Sequence, residues 1–139
     1  MLLRFVSIVL ALATLSGGPS EDPVADAQEV VSRQIIAFSR GDATGAFAEA
    51  GPNMRNSISD ESRFLAMILQ RYPPLEAVRN YAFGRSKLVG GGEFILQEVM
   101  LADRDGSDWT AIFEIRLLDS GIYKVNGIRL RPNRANRGI

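Results

Sequence analysis

Apolar positions recur at helical spacing from Val24 onward. Ala27, Val30, Val31, Ile35 and Phe38 fall on one side together with Gln34, while Asp26, Glu29, Arg33 and Arg40 lie mostly elsewhere. Asp22-Pro23 places a capping acid and a first-turn proline ahead of this pattern, and Gly41 follows it as a C′ residue would. The pattern restarts behind Asp42, with Ala46, Phe47 and Ala50 on one side, and Gly51-Pro52 is expected to stop it. Asp42 therefore reads as the N-cap of a second helix, its carboxylate facing free N–H groups and the positive end of the helix dipole. A third helix is signalled at Ser59-Asp60-Glu61-Ser62, with Ser59 as cap and two acids in the first turn. Phe64, Leu65, Ile68 and Tyr72 carry it to Pro73-Pro74, where the residue before a proline leaves the helical region.

After residue 74 the period becomes two. Arg79, Tyr81 and Phe83 alternate, and Gly84 is a candidate bulge. Gly90-Gly91-Gly92 is a turn, residues 93–102 read as a second strand, and 103–108 form a turn containing an Asp-Gly pair. Trp109, Ala111, Phe113, Ile115 and Leu117 alternate with Thr110, Glu114 and Arg116, so one face of a third strand is buried. Residues 122–131 form the last strand, bulged at Asn126-Gly127 because apolar residues resume with shifted parity. Helices followed by consecutive antiparallel strands give an α+β class, with three N-terminal helices packed on one face of a four-stranded sheet.

The first twenty residues break from this scheme. Arg4 precedes an apolar run, Phe5–Leu15, of 11 residues, and small residues follow. That is the layout of a secretory signal peptide, and the run falls short of the ~20 residues that span a bilayer. The expected organisation is a cleaved leader at 1–20, one domain at 21–131 and a basic tail at 132–139. The expected location is the periplasm or the medium, with no stable membrane span after cleavage. Lys+Arg 16 balance Asp+Glu 16, so no global charge favours nucleic acid. The chain has no cysteine and no histidine. This rules out a Ser-His-Asp triad, a cysteine nucleophile and the two favoured zinc ligands, and no motif implies a cofactor.

Three stretches, VVSRQIIAFSRGDATGAFAEAGP, FLAMILQRYPPL and QEVMLADRDGSDWTAIFEIRLLDSGIYKVNGIRL, carry a resemblance. With their spacing, which covers about residues 26–131, the chain resembles a family of small exported proteobacterial proteins known as domain-of-unknown-function family 4864. Tyr123 stands where that family usually has Trp. The resemblance implies a cone fold of the nuclear-transport-factor-2-like and cystatin-like kind, in which a curved sheet wraps the first helix and can leave a cavity. It carries no catalytic residues with it, and a shared fold does not transfer an activity.

Tyr72, Tyr81, Trp109 and Tyr123 are the candidate cavity-lining residues, since aromatics with a polar tip suit small-molecule sites as well as cores. Glu98 shares parity with Phe94 and Leu96 and is the candidate inward acid, whereas Glu114 is expected on the solvated face. The run DRDGSD at 103–108 fails as a calcium loop, because Gly106 stands fourth rather than sixth. The triple glycine leads into no helix and cannot cradle phosphate. Arg129, Arg131, Arg134 and Arg137 are read as solvated charge. The expected function is a non-catalytic exported domain that binds a small apolar ligand or an envelope protein. A homodimer through the exposed sheet face, which carries Ile112, is a further expectation. The competing reading is an isomerase or hydratase in which Glu98 and at least one of the tyrosines meet in one cavity.

Overall fold

A computed structural model describes residues 22–133. The proposed leader and the end of the basic tail, residues 134–139, lie outside the described residues. Helix α1, Pro23–Arg40, starts where Asp22 accepts a hydrogen bond from the Ala25 N–H at 3.0 Å. It ends at Gly41, whose φ of 66° is the left-handed turn that glycine adopts without a Cβ penalty. Helix α2, Ala43–Ala48, is capped by Asp42, which accepts from the Gly45 N–H at 3.0 Å.

Two helical expectations need correction. Gly51-Pro52 does not only stop a helix. Pro52 occupies the first turn of a further short helix, α3, Pro52–Arg55, so among the described residues four α-helices precede the sheet rather than three. The fixed φ of proline suits a helix start as well as a stop. The cap of α4, Glu61–Arg71, is Asp60 rather than Ser59, with Asp60 accepting from the Arg63 N–H at 3.0 Å. A 3-10 turn, Pro73–Ala77, leads into the sheet.

Strands β1, Val78–Val89, β2, Phe94–Asp103, β3, Asp108–Leu117, and β4, Tyr123–Pro132, pair in sequence order and antiparallel. Both expected bulges are present. The β1–β2 register shifts between Phe83 and Ser86, and in β3–β4 Gly127 faces Glu114 while Val125 faces Ile115, leaving Asn126 as the extra residue. At the β4 edge, residues 49–51 run alongside: the Val125 N–H donates to the Glu49 carbonyl and the Gly51 N–H to the Val125 carbonyl. This covers an edge that would otherwise present unpaired backbone groups.

The sheet meets α1, the 3-10 turn and, at β4, α3, while α4 packs on α2 and the 3-10 turn. Phe38, Phe64, Leu75, Ile95, Phe113 and Ile115 are fully buried in the core between them. One buried polar network is part of this layer. Gln97 accepts from the Gln28 amide at 3.2 Å and from the Ser86 hydroxyl, and its own amide reaches the Glu98 carbonyl at 2.9 Å and, at 3.4 Å, those of Gly84 and Arg85. The β1 bulge frees backbone carbonyls, and a buried glutamine amide satisfies them. Among the described residues no helix is long and apolar enough to cross a membrane.

Candidate functional site

The five residues singled out from the sequence do not converge. Tyr81 and Trp109 flank Leu101 in one row of the sheet. Tyr81 packs edge-on to Phe83, with ring centroids 5.8 Å apart. The Trp109 indole N–H donates to Asp103 Oδ2 at 3.0 Å. Asp103 also accepts from the Asp105 and Ser107 N–H groups at 2.9 and 3.0 Å, so one carboxylate organises the whole β2–β3 turn. The indole hydrogen bond above all, with help from the two backbone donors, holds the Asp103 carboxyl below the usual aspartate range, against the opposing effect of desolvation. Tyr123 lies at the other end of β3, paired with Leu117, and donates to the Gly92 carbonyl at 3.2 Å. It is only 9% exposed, and burial, helped by the Asp26 charge, pushes its phenol above the ordinary tyrosine value. Tyr72 donates to the Ile128 carbonyl at 2.6 Å. Three of the four aromatic polar tips thus serve the fold.

Glu98 requires a correction. Its neighbours Gln97 and Val99 are fully buried on the inner face, so strand alternation puts Glu98 on the outer one. Phe94 and Leu96 do share its parity, but that apolar set is the outer set, and Ile95, Gln97, Val99 and Leu101 point inward. The Glu98 carboxylate lies across β1 where Gly84 makes room for it: a Cβ there would stand 2.5 Å from Oε1. An active site of Glu98 with any of the tyrosines is therefore not assembled. Glu114 is on the outer face, between Leu96 and Gly127, as expected. No group of three or more acids placed to hold a metal ion occurs among the described residues.

A different place has the makings of a binding site. A cleft of about 630 Å³ opens between the α2–α3 region and the β3–β4 connection. Phe47, Ile58 and Leu118 supply apolar walls, and Arg55 and Lys124 supply charge. The size lies within the usual range for small-molecule sites. Arg55 is held rigidly. Its Nε donates to the Ala50 carbonyl at 3.0 Å and its Nη2 to the Phe47 carbonyl at 3.1 Å, and its guanidinium carbon lies 4.0 Å from the centre of the Phe47 ring. Lys124 Nζ donates to the Ala48 carbonyl. Sequence reading missed this site because its residues come from a four-residue helix, a loop and a strand edge. Ala46-Phe47-Ala48, shortly before Gly51-Pro52, was its one local trace.

Comparison with known proteins bears on family and fold. A family model described as "Domain of unknown function (DUF4864)" matches residues 21–138. No curated protein matches the chain. Among solved structures, a ketosteroid isomerase-like protein from Erwinia carotovora atroseptica SCRI1043 superposes with a TM-score of 0.57 at 11% identity, covering 84% of this chain and 100% of that one. An NTF2-like protein of unknown function from Shewanella baltica OS155 gives 0.55 at 14% identity, with 80% and 94% covered. At such identities the likeness establishes an NTF2-like α+β fold and nothing about activity.

Proposed function

This chain belongs to the DUF4864 family of unknown function, and on that premise we propose that it is an exported, non-catalytic domain that holds a small, largely apolar ligand. The observation that carries the reading is the cleft between α2–α3 and β4, where apolar walls meet two fixed cations. The N-terminal pattern of Arg4, an apolar run and small residues supports export to the periplasm or medium. The placement of Glu98 and the ties on Tyr72, Trp109 and Tyr123 speak against the acid–base alternative.

Native mass spectrometry tests this on the full chain expressed and exported in its own host and purified gently. A mass shortened by the leader and carrying an extra few hundred daltons is the expected result. An uncut chain removes the export reading, and a bare mature mass counts against a ligand carried through purification.

A second reading is favoured by the outer sheet face. Phe94, Leu96, Met100 and Ile112 form an apolar stretch there, and Met100 is 37% exposed. Glu98, Ile112 and Arg129 stand side by side across β2, β3 and β4. A twofold axis along β3, between two such faces, lays Ile112 on its own copy and Glu98 over Arg129 of the other chain. The proposed occupant of this face is therefore a second copy of the chain.

A further inference from the structure

The cleft's ligand can be narrowed to a chemical class, an inference that rests on the ligand-binding reading above. Arg55 and Lys124 both reach the carbonyls that end α2, where cations are favoured by the helix dipole. That role accounts for their position but not for their remaining capacity. A guanidinium carries five N–H donors and an ammonium three. The backbone carbonyls named above take two from Arg55 and one from Lys124. Among the described residues neither enters an ion pair; the ion pairs there join Arg33 to Glu29 and Glu49. Two cations lining one cleft without a carboxylate of their own form a site in which an anion gains from both.

The surrounding wall fits such an occupant. Ser57 and Ser59 bring hydroxyls to the same cleft. Asn56 and Ser57 hold φ values of 46° and 63°, a region L-residues adopt at a cost and which clusters at binding sites. That conformation is fixed by the Ile58 N–H on the Arg55 carbonyl at 2.8 Å, next to α3, whose start is pinned by the Asn53 N–H on Asn126 Oδ1 at 3.3 Å. The rest of the lining, Phe47, Ile58 and Leu118 among it, is apolar.

We propose that this cleft binds an amphipathic anion, its single carboxylate or phosphate head between Arg55 and Lys124 and its aliphatic body along Phe47, Ile58 and Leu118. The cations select the head, and the apolar walls supply affinity.

Calorimetric titration of the mature chain with octanoate, octyl phosphate and 1-octanol tests the assignment. The expected result is that an anionic probe binds about tenfold more tightly than 1-octanol, the difference one charged hydrogen bond makes. Lys124→Gln should erase most of that preference, weakening the anionic probes far more than 1-octanol. Arg55 satisfies two backbone carbonyls and Lys124 one, which a glutamine amide can still reach, so Lys124→Gln rather than an Arg55 variant carries the test. Octanoate above octyl phosphate would identify a fatty-acid-like ligand, and the reverse order a phosphate ester. Equal binding of 1-octanol and the anions overturns the head assignment but leaves an apolar site. Binding of none of the three overturns both the assignment and the ligand-binding reading.

Discussion

Two buried glutamines show how differently one residue type can serve. Gln97 has partners on both its oxygen and its nitrogen. Gln34 is equally buried, but its Oε1 has no partner, and its nitrogen makes one bond at 3.2 Å to the Ala46 carbonyl and a weak one at 3.5 Å to the Met54 sulfur. Gln97→Met strands the carbonyls of the β1 bulge and should cost about 1–3 kcal/mol. Gln34→Met exchanges a half-satisfied amide for an apolar chain of similar size and should cost less than about 1 kcal/mol. Urea unfolding of the two variants checks the order, and the opposite order would refute the argument. Asp103 makes a second prediction at this scale. Its folded-state pKa is depressed, so its contribution to stability is present above the ordinary aspartate range and lost as pH falls through the lowered value. Emission of Trp109, the chain's one tryptophan, should hold steady through the pH at which a free aspartate titrates and change only below it. Asp103→Asn should abolish that acid step. None of these roles is legible in sequence, because each depends on which backbone groups come to lie within about 3 Å.

At the scale of elements, capping chemistry reads directly. Asp42 was assigned as a cap from its place after Gly41, and its carboxylate does accept from the Gly45 N–H. Asp42→Ala should therefore lower stability by about 1 kcal/mol in thermal or urea unfolding, with Asp42→Asn nearly neutral. A loss of binding with unchanged stability would point instead to a direct role for the acid. Elements shorter than two turns are less legible. Helix α3 has four residues, too few to display a period, and its Pro52 reads equally as a stop. Strand faces are harder still when both carry apolar residues. In β2, Phe94, Leu96 and Met100 alternate with Ile95, Val99 and Leu101, so pattern alone does not say which set is inward. Glu98 was misplaced for that reason. Strand β3 has a polar stretch around Glu114 and Arg116 on one face, so its inward set is legible from the pattern.

For the whole molecule, the arrangement of charge on the sheet makes a prediction about assembly. If two copies meet on the outer face, Glu98→Arg sets like charges opposite one another and should shift the chain to monomer in size-exclusion chromatography with light scattering. Adding Arg129→Glu to that variant should restore the dimer, which a merely damaged fold would not do. A monomer for the unaltered chain at high concentration would remove the second-copy reading. The core offers an independent check. Phe113 is fully buried in the core, and Phe113→Ala should cost about 3–5 kcal/mol.

Taken alone, the sequence determined the class of fold, helices before four strands paired in order, both bulges and the caps of α1 and α2. Those follow from local periodicity and from the conformational limits of Gly, Pro and Asp, which act within a few residues. Tertiary structure decided which face of β2 is inward, what Gln97 and Asp103 satisfy, and where the cleft lies. Arg55 and Lys124 are 69 positions apart and meet the same cleft only because residues 49–51 dock on the edge of β4. Docking of that kind depends on the backbone partners an edge strand leaves open, and no local pattern in the chain encodes it.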